Sequence, residues 1–88
     1  SMAGGSSGFA FARRTLPLVE AADERARQVS ALSVMLHVEC DNLGAICFYE
    51  AARFTRASEH PRYRQFARAI SIDPDSHYLY ERPVRNVH

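Results

Sequence analysis

Leu36-His37-Val38-Glu39-Cys40-Asp41-Asn42-Leu43-Gly44-Ala45-Ile46-Cys47-Phe48-Tyr49-Glu50-Ala51-Ala52-Arg53-Phe54 is the stretch that decides how this chain is read. Before Cys40 the apolar residues recur with period two. Leu32, Val34, Leu36 and Val38 share one face, and Ser33, Met35, His37 and Glu39 share the other, which is the pattern of a strand buried on at least one side. Asp41 or Asn42 then supplies the side-chain oxygen that starts a helix. That helix is predicted to run to about Arg53, with Ala45, Ile46, Tyr49 and Ala52 on one stripe and Phe48 at its border. Phe54 opens a short extended piece. With Leu36 and Val38 buried, alternation is expected to aim His37 at the first turn of the helix that carries Tyr49. His37, Asn42 and Tyr49 then form a candidate site.

Upstream, Thr15 can cap a helix whose apolar positions Leu16, Val19, Ala22, Ala26 and Val29 recur at spacings of three and four. Asp23, Glu24, Arg25 and Arg27 are expected on its outside. Ser1 and Met2 read as a cloning scar ahead of a start codon, and residues 3–8 as a Gly/Ser-rich flexible lead, so the folded unit is expected over 9–88. Downstream, His60-Pro61 marks a loop, because the residue before a proline is pushed away from helical geometry. Residues 69–72 and 77–81 read as short strands on either side of Asp73-Pro74-Asp75-Ser76, which is turn chemistry. The expected class is α/β: helix, strand, helix, then a short antiparallel hairpin.

Eighty-eight residues allow one small domain with little stability to spare. With 47% apolar and 24% charged residues the chain has the composition of a folded protein rather than a disordered one. Eleven basic residues against ten acidic ones leave a net charge of +1, so no strong field recruits nucleic acid or a membrane surface. No apolar run approaches the roughly 18 to 20 residues of a membrane span. Two cysteines, Cys40 and Cys47, within one motif do not suggest a disulfide framework, so a reducing, intracellular and cytoplasmic setting is expected.

The run Asn42-Leu43-Gly44-Ala45-Ile46-Cys47-Phe48-Tyr49-Glu50-Ala51-Ala52-Arg53-Phe54 resembles the motif Asn-x-x-Ala-Ile-x-Phe-Tyr-Glu-x-x-x-Phe found in the C-terminal half of GNAT-superfamily acetyltransferases. Leu36-His37-Val38 before it and Pro61-Arg62-Tyr63 after it look most like protein N-terminal acetyltransferases of the NatE and NatF types. The resemblance covers about residues 15–84. It implies a GNAT-like C-terminal half, incomplete relative to the full fold, and transfer of an acetyl group from acetyl-CoA to the free α-amino group of a protein or peptide. By position, it implies His37 as the base, Tyr49 as the acid near the CoA sulfur, Asn42 on the pantetheine arm and Tyr63 on the substrate peptide. An α-amino group has a pKa of roughly 8, so a base working near neutrality is what the chemistry requires.

The chain departs from that family at two places. A glycine is usual where Arg53 stands, just before the last Phe of the motif. The loop that would bind the CoA pyrophosphate, patterned Arg/Gln-x-x-Gly-x-Gly/Ala, is in this register Ala10-Phe11-Ala12-Arg13-Arg14-Thr15, without either glycine, although Arg13 and Arg14 can attract phosphate. The preceding strand, with its oxyanion-stabilising amide, has no counterpart here. The chain alone is therefore expected to be inactive.

Each candidate also has a plainer role. A lone histidine on a strand is usually structural, an aromatic at helical spacing usually packs, Asn42 is accounted for by capping alone, and Tyr63 can simply cover the core edge. His37, Cys40, Cys47 and His60 lack the paired spacing of a structural zinc site, so no metal is expected, and the cysteines read as small apolar fillers. Two functions compete: an N-terminal acetyltransferase working through His37 and Tyr49, and a non-catalytic GNAT-like module that binds a protein partner. Either the absent N-terminal half or a second copy, giving a homodimer, is expected to cover the sheet edge left open.

Overall fold

The structure, a computed structural model, describes residues 2–84, with side chains from residue 11 onward. It is a small α/β domain of three helices and a three-stranded antiparallel sheet: α1 (Met2–Gln28), β1 (Ser33–Glu39), α2 (Leu43–Ala51), β2 (Thr55–Arg56), α3 (Tyr63–Ala69) and β3 (His77–Pro83). The strand order is β1-β3-β2, so the last strand lies between the first two. Ser33 pairs with Pro83 and Glu39 with His77 along β1, and Thr55 pairs with Glu81 along β2.

One face of the sheet carries the main core. Val38 and Tyr80 pack with Val19 of α1, Ala45 of α2 and Phe54, and Val34, Leu36 and Tyr49 lie against them. Tyr80 and Leu79 are the largest fully buried side chains, on opposite faces of β3. Burying each contributes about 1.5–3 kcal/mol.

The strand and helix of the opening stretch form as their patterns predict, with Asn42 rather than Asp41 as the cap. Three expectations are corrected. The first helix does not begin at Thr15: α1 runs through it from Met2, and Thr15 is a buried interior residue. Pro17 is accommodated inside α1, where it has no N–H to donate. The packed stripe of α1 is Thr15, Val19, Asp23 and Ala26, at spacings of four, four and three, whereas Leu16 and Val29 are exposed. Asp23 is therefore inside, ion-paired with Arg82 of β3. Finally, residues 69–72 make no strand. They terminate α3, whose Tyr-Arg-Gln-Phe-Ala-Arg-Ala composition favours helix, and β3 pairs with β1 and β2 instead of closing a terminal hairpin.

All three helices end alike. Ser30, Arg53 and Ser71 take positive φ values of 57°, 76° and 60°. In each case the next residue's N–H bonds back to the carbonyl five residues earlier: Ala31 to Ala26, Phe54 to Tyr49 and Ile72 to Ala67, at 2.9–3.0 Å. These are Schellman caps, which satisfy the last carbonyls of a helix and most often use glycine at the left-handed position. None does so here.

Candidate functional site

The end of β1 and the start of α2 are joined by a tight turn in which the Asn42 N–H donates to the Glu39 carbonyl and the Leu43 N–H to the Asp41 carbonyl, both at 3.0 Å. The Asn42 side-chain oxygen accepts the Ala45 N–H at 3.1 Å. This satisfies one of the free donors at the helix start. Asn42 itself is exposed.

Tyr49, two turns along α2, is half-buried in an aromatic cluster. Its ring meets Phe48, Phe54 and Phe11 edge-on at 5.3, 5.6 and 6.1 Å between centroids. Such contacts stabilise beyond simple burial. Burial also pushes the Tyr49 hydroxyl above its ordinary pKa, so it remains protonated through neutral pH.

His37 does not face α2. Its cross-strand partner is Leu79, on the sheet face opposite Val38 and Tyr80. Because Leu36 and Val38 fill the face beneath α1 and α2, alternation carries His37 to the other side. The expected convergence of His37 with Tyr49 on one face is corrected accordingly: Asn42 and Tyr49 belong to α2, and His37 lies across the sheet from that helix. Its Nε2 is buried and has no hydrogen-bond partner among the described residues. Burial, and then the nearby His77, lower its pKa below the usual histidine value. His37 is thus neutral at pH 7. Sequence alone did not bring His77 beside it, because only the β1–β3 register does so. His77 is held at Nδ1 by the Asp73 carbonyl and the Ser76 hydroxyl, each at 3.0 Å.

Tyr63 is the first residue of α3 rather than part of a loop, and its hydroxyl donates to the His77 carbonyl at 2.7 Å, with the Pro74 carbonyl also in contact. It ties α3 to the start of β3. Arg13 and Arg14 are exposed on α1. Because residues 10–15 lie within α1, their amides belong to the helical hydrogen-bond ladder and form no open anion-binding loop, so this segment does not fit the CoA pyrophosphate.

Two polar groups missed in the sequence organise the core. Arg82 pairs with Asp23, donates to the Ala52 carbonyl at 2.7 Å and lies 4.5 Å from the Phe54 ring centre. Tyr80 donates to Glu50 at 2.8 Å and accepts from Arg56 at 3.2 Å. Arg56 in turn stacks 3.7 Å above the Tyr78 ring. A depression of about 480 Å³ at the end of β1 is lined by Glu39, Cys40, Asp41, Ser76 and His77, none of them a predicted site residue.

Among the described residues no three or more His, Cys, Asp or Glu side chains gather as a metal site, and no helix is long and apolar enough to cross a membrane. Compared with family models, curated proteins and solved structures, the chain matches none.

Proposed function

We propose that this chain is the C-terminal part of a GNAT-type N-terminal protein acetyltransferase, contributing His37 and Tyr49 to acetyl transfer from acetyl-CoA to a protein's α-amino group. The observation that carries the proposal is the Asn42–Phe54 segment: an asparagine-capped helix at the end of a strand, closed by Phe54 against Tyr49. Protonation states agree with the roles. A neutral His37 would accept the proton of the attacking amine, and a protonated Tyr49 would supply one to the departing sulfur. The attacking amine and the departing sulfur share one carbon, so residues on opposite faces of the sheet would serve them together only on a thioester seated at the β1 edge, where the two faces meet. Residues 10–15 take no part in phosphate binding here.

The test is acetyl transfer to a peptide with a free N-terminus by the protein that carries these residues. His37→Gln and Tyr49→Phe are each expected to lower kcat by at least about 10²-fold with the fold intact. Unchanged turnover in both variants would overturn the assignment.

One observation favours a second function, a non-catalytic module that binds a protein partner: the amides of residues 10–15 lie within a helix. Calorimetry on the longer protein that carries these residues separates the two, since a module of that kind gives no heat on titration with acetyl-CoA.

A further inference from the structure

The hydrogen-bond parity of β1 defines an open edge. The Cys40 N–H donates to the Ser76 carbonyl, and the Val84 N–H to the Leu32 carbonyl, both at 3.0 Å. With the β1–β3 register, these bonds make the even-numbered residues 32–40 the hydrogen-bonded positions facing β3. Across β3, the Ala57 N–H donates to the Leu79 carbonyl at 2.7 Å, so the odd-numbered residues of β3 serve β2, as the same parity requires. The N–H and C=O groups of Ser33, Met35 and His37, and the Glu39 N–H, therefore point away from the sheet. Among the described residues only the Glu39 carbonyl on this side is engaged, by the Asn42 N–H. Residues 9–12 add no strand there, because they belong to α1.

The two sheet edges differ in how they are protected. The β2 edge is two residues long, exposed and carries Arg56, a short charged edge that discourages pairing. The β1 edge is seven residues long and contains no proline, lysine or arginine. Its one charge is Glu39, at the end of the strand.

We infer that the β1 edge pairs antiparallel with the same edge of a second copy, about a two-fold axis at Leu36. That register is singled out by self-complementarity. It sets Ser33 opposite the partner's Glu39 and Met35 opposite the partner's His37, so every outward-facing residue has a counterpart and no like charges meet. Centring on Met35 strands Glu39 without a counterpart, and centring on His37 sets two imidazoles face to face and strands Ser33. The pairing joins two three-stranded sheets into one of six. It also brings Leu36 beside the partner's Leu36 on the face that α1 and α2 cover, in an isologous interface of the commonest symmetry. The pairing is that of the 88-residue chain by itself and competes with the acetyl-transfer proposal, in which an N-terminal half takes this edge.

Light scattering across the micromolar range tests it, together with amide hydrogen exchange. The wild-type chain is expected at twice the chain mass. The Met35 and His37 amides are expected to be protected at high concentration and exposed on dilution, while the Leu36 and Val38 amides stay protected at both. Met35→Pro removes only an outward-facing N–H and is expected to give a folded monomer by circular dichroism. If proline disturbs folding, Met35→Lys, which places a charge at the paired edge, is expected to halve the mass. A wild-type monomer throughout the range overturns the inference. So does a dimer that survives a folded edge variant, or one whose Met35 and His37 amides exchange freely, as in hairpin exchange or helix pairing.

Discussion

Phe54 closes back onto Tyr49: its N–H reaches the Tyr49 carbonyl at 2.9 Å, and the two rings meet edge-on at 5.6 Å between centroids. Arg53, between this closing bond and the helix, must take φ 76° to allow it. The residue most burdened by this contact is the one where the resembled motif usually has glycine. A side chain in the left-handed region costs roughly 1–2 kcal/mol, offset in part by the greater chain entropy glycine loses on folding. Arg53→Gly is therefore expected to stabilise the domain by roughly 0.5–1 kcal/mol, measured by urea denaturation. A destabilised variant would mean that the Arg53 side chain makes a compensating contact.

Asp23 and Arg82 form a buried ion pair that joins α1 to β3, while Arg82 also holds the end of α2 through the Ala52 carbonyl. Removing one partner leaves the other charge buried, a loss of about 3–5 kcal/mol. Because small domains have only about 5–15 kcal/mol in total, Asp23→Ala is expected to shift the denaturation midpoint sharply or abolish folding. The double replacement Asp23→Leu with Arg82→Met is expected to recover most of the loss, since apolar side chains of similar volume can substitute for a buried pair. Equal instability of single and double variants would show that the charges themselves are needed.

His37 is expected to make the domain acid-sensitive. Its folded pKa lies below the unfolded value of 6.5, so below pH 6.5 the unfolded chain binds more protons than the folded one and stability declines as pH falls. Above pH 6.5 the effect vanishes. A proton NMR titration should place the His37 midpoint below 6.5, and His37→Gln should flatten the stability profile on the acid side. A midpoint at or above 6.5 would refute the buried, neutral assignment.

The chain by itself is expected to give no acetyl transfer from acetyl-CoA to an N-terminal peptide, because residues 10–15 are helical and offer no amides to a pyrophosphate. Turnover by the 88-residue chain that is lost in His37→Ala would contradict this.

Asn42→Ala should cost about 1 kcal/mol through loss of the cap on Ala45, with no change in sheet pairing. Thermal unfolding measures the loss, and an unchanged melting temperature would mean that the cap contributes nothing net.

The sequence by itself determined the local elements around Asn42. Period two makes β1, the asparagine oxygen starts α2, and Phe54 follows its end, because each depends on residues within a few positions of one another. The same reasoning could not reveal the environment of Asp23, read as an outward charge because its partner Arg82 is 59 residues away. Nor could it place His37. Alternation separates His37 from Leu36 and Val38, but only the packing of α1 and α2 decides which face becomes the core, and that packing put His37 with Leu79 rather than under Tyr49. The insertion of β3 between β1 and β2 was likewise decided in tertiary structure, since turn chemistry at 73–76 marks where a strand begins but not what it pairs with. Long-range partners are chosen by burying a common apolar face, and that choice is made by the whole chain at once.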